Sequence, residues 1–237
     1  MSHSSVIDKE IAQFDALAAK WWDVNGPMRP LHMMNAPRTA WVSDRIRKYA
    51  DGSSAILDVG CGAGLLAEAL AREGFSVTGL DAGAEVIAAA RAHAQGQRQG
   101  LDLTYQQGTA EALAATGVRF PVITALEIIE HVADPEAFLV SLKALLAPGG
   151  MLFLSTLNRT LKSYAVAKIG AEYLLRLLPV GTHDWQNFIR PEELGRLCRT
   201  AGLNLTETAG LSYTSLTRTF QVSRDLSVNY LAMARAD

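Results

Sequence analysis

Ile56-Leu57-Asp58-Val59-Gly60-Cys61-Gly62-Ala63-Gly64 runs from an apolar strand, through three alternate glycines, into the helical pattern Leu65–Glu73. A strand that turns on glycine directly into a helix opens a βαβ unit, because glycine permits the tight turn and lets a ligand approach main chain. The same grammar repeats downstream. Ser76–Asp81 is a second apolar run, ending in a carboxylate, and Leu103–Gln107 alternates as a third strand. Pro121–Leu126 makes a fourth and Met151–Thr156 a fifth. Helical patterns lie between them at Glu85–Gln95 and Glu136–Leu146, the latter opened by Asp134 as N-cap and Pro135 at the first position. Strands alternating with helices of about ten residues predict a mainly parallel sheet with helices on both faces. Pro191-Glu192-Glu193 starts one more helix, and Leu203–Ser212 and Ser227–Ala234 can supply closing strands. The expected fold is a doubly wound, Rossmann-like α/β sandwich.

Two additions to that core are expected. Residues 1–50 read as a helical N-terminal extension, in which Ile7, Ile11, Phe14, Ala18 and Trp21 form one apolar stripe at helical period. Asn25-Gly26-Pro27 and Ala36-Pro37 interrupt it, which predicts two helices with an irregular elbow. About thirty residues, 159–190, follow the fifth strand where a short connection would do, and long connections are usually functional. Here Val166, Ile169, Tyr173 and Leu177 make a helical apolar stripe, opposite Lys168, Glu172 and Arg176. Such a helix suits either a membrane surface or the protein's own core. No linker or repeat divides the chain, so 1–237 is read as a single domain.

Composition narrows the class of function. Among 237 residues, 22 Lys and Arg oppose 24 Asp and Glu, a net charge of −2 that lacks the phosphate-neutralising excess of a nucleic-acid binder. Two cysteines make no disulfide framework. The polar start and the absence of about 18 consecutive apolar residues argue against a secretory signal or a bilayer span. A soluble, cytoplasmic protein is expected.

The glycine turn and the acid after it point to a nucleoside-containing cofactor. Open parallel sheets bind ligands at the carboxyl ends of their strands, where Gly60 and Gly62 lie. Asp81, closing the second strand, can accept hydrogen bonds from both hydroxyls of a ribose. The dinucleotide fingerprint is G-x-G-x-x-G, whereas this turn reads G-x-G-x-G with Asp58 two residues before it. A carboxylate there suits an ammonium better than a phosphate, so the reading is S-adenosylmethionine rather than a nicotinamide.

Leu126-Glu127-Ile128-Ile129-Glu130-His131 continues from the fourth strand beside the same crevice. In a helical turn Glu127, Glu130 and His131, at i, i+3 and i+4, share one face and can converge on one ion. Mg²⁺, Mn²⁺ and Zn²⁺ all suit two carboxylates and an imidazole. His131 can equally be a general base or pack below the cofactor, and carboxylates after a strand are often simply solvated. A phenol gives a reason to want metal or base. With a pKa near ~10 it is ionised about once in a thousand molecules at pH 7, a deficit worth ~4 kcal/mol.

Further segments carry a resemblance. Trp21-Trp22-Asp23, Pro30-Leu31-His32, Asn35-x-x-Arg38, Leu57–Gly62, Glu127-x-x-Glu130-His131, Ser155-Thr156-Leu157-Asn158-Arg159, Gly170-Ala171-Glu172-Tyr173, Gly181-Thr182-His183-Asp184 and Val228-Asn229-Tyr230 span nearly the whole chain. Together they resemble the ubiquinone-biosynthesis O-methyltransferases of the UbiG type, which are class I S-adenosylmethionine-dependent methyltransferases. The resemblance implies methylation of ring hydroxyls on a polyprenyl hydroxyphenol (a catechol) and on demethylubiquinol. It implies that Arg38 holds the cofactor carboxylate, Gly60 lies under it, Asp81 takes the ribose and Leu126 lines the site. A divalent cation such as Mg²⁺ would sit at Glu127, Glu130 and His131, with His131 also the catalytic residue. The protein would meet the inner face of the membrane through 162–180 and work in a ubiquinone-biosynthesis complex. Leu126 departs from the family, where methionine often stands. Alternatives are a methyltransferase for another quinone or phenol and a non-catalytic cofactor-binding scaffold.

Overall fold

The computed structural model describes residues 5–50, 55–96, 100–165, 185–214 and 216–236. Their strands form an eight-stranded sheet: β1 (Ala55–Val59), β2 (Ser76–Asp81), β3 (Leu103–Gln107), β4 (Phe120–Leu126), β5 (Leu146–Leu157), β6 (Leu203–Thr214), β7 (Thr219–Ser223) and β8 (Asn229–Ala236). The order is β3-β2-β1-β4-β5-β8-β6-β7. β1 to β5 pair in parallel, and β8 runs antiparallel between β5 and β6. The helices are α1 (Asp8–Asp15), α2 (Arg29–Tyr49), α3 (Leu65–Arg72), α4 (Ala84–Gly96), α5 (Ala110–Ala114), α6 (Pro135–Leu145) and α7 (Pro191–Thr200).

Both faces of the central strands β1, β4, β5 and β8 are buried, as the parallel part of the sheet requires. Successive strand residues point to opposite sides. Ile56, Val122 and Phe153 pack with Trp41, Val42 and Ile46 of α2, Leu70 of α3 and Ile87 of α4. Their neighbours Leu57, Ile123, Leu152 and Leu154 pack with Phe138, Leu139 and Leu142 of α6 and Leu194 of α7. The two apolar layers are the core, and they leave the strand ends to carry chemistry.

Most expected elements stand within a residue or two of their predicted bounds, and β2 and β3 coincide with them. Asp134 caps α6, its Oδ1 accepting the N–H groups of Glu136 and Ala137 at 3.0 Å. The N-terminal extension differs. Its second helix does not break at Pro37 but runs from Arg29 to Tyr49 with Pro37 inside it. Proline removes one helical hydrogen bond, and the burial of Met34, Arg38, Trp41, Val42 and Ile46 on one side outweighs that loss. The short α5 and the edge strand β7 were not foreseen. The amphipathic stripe from Val166 to Leu177, and His183, lie outside the described residues.

Candidate functional site

Chain order reverses between β1 and β4, and at the carboxyl ends of β1, β2 and β4 the sheet opens into a crevice. This is where a doubly wound sheet binds ligands. Arg38, Asp58, Gly60, Gly62, Asp81, Leu126, Glu127 and His131 all line it. Glu130, between lining residues Ile128 and His131 in sequence, is buried and not in the lining.

β1 delivers Asp58 and the glycine turn. The N–H groups of Gly60 and Cys61 both reach Leu80 O, tying that turn to β2. Gly60 and Gly62 have φ values of 70° and 52°, a backbone that favours glycine. A Cβ on Gly60 would collide with Ile128 Cδ1, and one on Gly62 with the Trp21 ring. The glycines are thus needed by the chain's own side chains.

Asp58 is 2% exposed. Its Oδ1 accepts Thr124 Oγ1–H at 2.6 Å from the adjacent strand, while Oδ2 has no hydrogen-bond partner. Burial pushes its pKa up to about 7, against the opposing Thr124 bond and the Arg38 charge. Arg38 reaches the crevice from α2, buried at 4% exposure, with Nε donating to Asn35 Oδ1 at 3.2 Å. Asn35 Nδ2 in turn donates to Leu65 O at 2.8 Å, which explains the Asn35-x-x-Arg38 spacing: one turn of α2 buttresses the guanidinium. Burial lowers the Arg38 pKa, and the charges of Glu127 and Asp58 oppose that shift.

The two oxygens of Asp81 accept the N–H groups of Gly62 and Gly83, each at 2.9 Å. A carboxylate has about four lone-pair sites, so acceptor capacity remains for two hydroxyls. Burial raises its pKa, and the bonds from Gly83 and Gly62 oppose the rise.

The group after β4 is arranged differently from the expectation. The helical turn covers only Ile129–His131; Ile128 stands at φ −127° and ψ −32°, and Glu127 at φ 55° in the left-handed region. Helical phase therefore does not reach Glu127, and the expected shared face is not formed. Among the described residues no three Asp, Glu, His or Cys side chains are gathered as a metal needs. Glu127 instead accepts from Ser155 Oγ at 2.6 Å and from Asn229 Nδ2 at 3.0 and 3.1 Å. Neither Glu130 oxygen makes a hydrogen bond within normal distance and angle. Its pKa is pushed up to about 8, by burial first and by the Glu127 charge second. Two neighbouring carboxylates, the buried one opposed only by the Thr156 hydroxyl and its own backbone N–H, are a donor set whose chemistry fits a hard cation. His131 Nδ1 lies 2.9 Å from Glu10 Oε2.

Sequence reading missed the cover of the site. Ser5, Ile7, Glu10, Ile11, Phe14 and Trp21 line the crevice from the N-terminal side. The apolar stripe was legible, but nothing local says that its partner is a crevice wall.

Comparison with known proteins agrees with this geometry. Residues 36–208 match a family model described as a methyltransferase domain. The chain is 46% identical to the ubiquinone biosynthesis O-methyltransferase of Azotobacter vinelandii, over 96% of this chain and 97% of that protein. It is 47% identical to the protein of the same name from Parvibaculum lavamentivorans, over 98% and 95% of the two chains. Among solved structures, magnesium protoporphyrin IX methyltransferase from Synechocystis, with bound SAH, superposes at TM-score 0.67 and 18% identity, covering 97% of this chain and 100% of that one. A methyltransferase from Thermotoga maritima superposes at TM-score 0.61 and 17% identity, covering 96% and 100%. These likenesses show the Rossmann-like fold of class I methyltransferases.

Proposed function

The chain belongs to the ubiquinone biosynthesis O-methyltransferases, S-adenosylmethionine-dependent enzymes, and from that premise we propose that its crevice methylates ring hydroxyls of polyprenyl catechols and of demethylubiquinol. The observation that carries this reading is the buried Asp58 carboxylate, with one oxygen unpartnered, in the same crevice as Arg38 and Asp81. Together they offer an acid for an ammonium, a guanidinium for a carboxylate and an acid for a ribose. That set recognises an amino acid joined to a nucleoside, and its two carboxylates beside the glycine turn would repel a pyrophosphate.

The bound cofactor supplies a methyl group on a sulfonium, poised for displacement. Asp58, Arg38 and Asp81 orient it, and alignment of nucleophile, methyl carbon and sulfur is most of what such a transfer needs. Leu126, Ile11 and Phe14 line the same space with apolar surface that excludes water. His131 would take the proton released by the ring hydroxyl as that oxygen receives the methyl group. A positioned base of this kind contributes typically 10²–10⁴-fold. Where a divalent cation is bound, Glu127 and Glu130 would hold it, joined by His131. The ion's chemistry there is to lower the pKa of the ring hydroxyl. A polyprenyl tail lies in lipid, and we place the contact with the membrane surface on the segment 162–180. No described helix is long and apolar enough to cross a membrane.

The test is mass spectrometry of a prenylated catechol incubated with the purified protein and S-adenosylmethionine, with and without chelator. The reading expects one methyl ether per turnover. Loss with chelator and return with Mg²⁺ would support the cation at Glu127 and Glu130, whereas indifference to chelator would overturn it and leave His131 as the base. Absence of any ether, with cofactor bound, would overturn the acceptor.

A further inference from the structure

Resting on the reading of His131 as a working residue, we infer that Glu10 is its positioning residue, so that the N-terminal segment completes the active site. Three observations converge. Glu10 Oε2 lies 2.9 Å from His131 Nδ1. A carboxylate oxygen only accepts, so in the neutral ring this contact puts the proton on Nδ1 and the lone pair on Nε2, the nitrogen that must receive a substrate proton or bind a metal. Phe14, one turn along α1, meets the same imidazole edge-on, with ring centroids 5.3 Å apart at 87°. The hydrogen bond and the aromatic wall together fix both tautomer and ring plane.

The segment that carries Glu10 is itself held. At the end of α1, Asp15 Oδ1 accepts the N–H groups of Glu85 and Val86 at 3.1 Å, capping the first turn of α4. Before α1, Ser5 donates its N–H to Glu111 Oε1 at 3.1 Å and accepts from Ala133 N–H at 2.8 Å, two residues past His131. The strap is thus tied on both sides of Glu10, on elements that also frame the crevice. Carboxylates that orient a working histidine typically matter about ten- to a hundredfold. Glu10 and His131 stand 121 residues apart in sequence, a pairing that no local motif encodes.

A purely structural clip would hold α1 without touching turnover, and a double-mutant cycle separates the two. Full-length wild type, Glu10→Ala, Glu10→Gln, His131→Ala and the double variant Glu10→Ala/His131→Ala would be compared for kcat and KM on a prenylated catechol, and for S-adenosylhomocysteine affinity by calorimetry. Glu10→Ala is expected to lower kcat about ten- to a hundredfold, with KM and affinity within about twofold. Glu10→Gln, whose amide oxygen still accepts from Nδ1, regains most of the loss. In the His131→Ala background, Glu10→Ala costs less than about twofold more, because sites acting through one another are non-additive. Full kcat in Glu10→Ala beside a crippled His131→Ala overturns the inference alone. So does an equal fold loss in both backgrounds, or a loss in affinity rather than kcat. Full kcat in His131→Ala overturns the reading beneath it.

Discussion

The carboxylate of Asp81 accepts the N–H of Gly62 at 2.9 Å, so the acid that ends β2 is bonded to the turn that ends β1. Asp81 and the glycine turn are therefore one unit, and disturbing either moves both.

Removing that carboxylate should weaken the cofactor complex severely. Asp81→Ala deletes two prospective charge-assisted hydrogen bonds to ribose, each worth ~1.5–3 kcal/mol, which together exceed about a hundredfold in affinity. Calorimetry with S-adenosylhomocysteine reads this directly. Affinity within a few-fold of wild type would remove Asp81 from the ribose site.

Cofactor-free protein, stripped of cations, should lose stability as pH rises. Asp58 goes from its ordinary 3.8 to about 7 on folding, so between those values the unfolded chain has released a proton that the folded chain retains. Stability from this group is complete below about pH 4, declines toward pH 7 and is level above it. Glu130, raised from 4.5 to about 8, extends the decline. Thermal melts from pH 5 to 8 should show a falling Tm. Asp58→Asn should remove the part ending near pH 7, and Glu130→Gln the part reaching about 8. A rising Tm over this window contradicts both shifts.

Cofactor binding should itself release a proton near pH 6. An ammonium beside Asp58 favours the ionised carboxylate and draws its pKa back down. Calorimetry in two buffers of different ionisation enthalpy counts the protons released. Asp58→Asn should abolish the difference between buffers, and a wild type without any difference would separate Asp58 from the ammonium.

Glu130→Ala should divide binding from chemistry. Glu130 is buried and not in the crevice lining, so affinity for S-adenosylhomocysteine should stay within about twofold while turnover drops at least about tenfold. Unchanged turnover would leave Glu130 as a merely buried acid.

Gly62→Ala should destabilise through two separate effects. The left-handed backbone costs a β-carbon about 1–2 kcal/mol, and overpacking the Trp21 ring typically adds about 1–3. Trp21→Leu in the same chain should recover part of the second cost but not the first. A melting temperature equal to wild type would contradict the close approach of Trp21.

The residues that were legible in sequence are those whose cause is local. β2 and β3 stand where their apolar runs predict, and Asp134-Pro135 marks the start of α6 because a cap and a fixed φ act within one turn. Gly60, Gly62, Asp81 and Leu126 come to one crevice because a doubly wound sheet brings its strand ends together, and Arg38 joins them from α2. What was not legible depends on distant partners. Pro37 reads as a helix breaker until the buried face of α2 is known. The Glu127, Glu130 and His131 spacing reads as one helical face until Glu127 is seen in the left-handed region at the end of β4. Asp58 is paired from Thr124 and His131 from Glu10, across 66 and 121 residues, by contacts that only the folded chain creates.

The most direct measurement is methyl transfer to one prenylated catechol by wild type and His131→Ala, read by mass spectrometry beside the cofactor affinity of each. The account predicts a methyl ether from wild type, a loss of about 10²–10⁴-fold in His131→Ala, and equal affinities. A wild type that binds the cofactor and yields no ether, in a detergent that disperses the substrate, would contradict it.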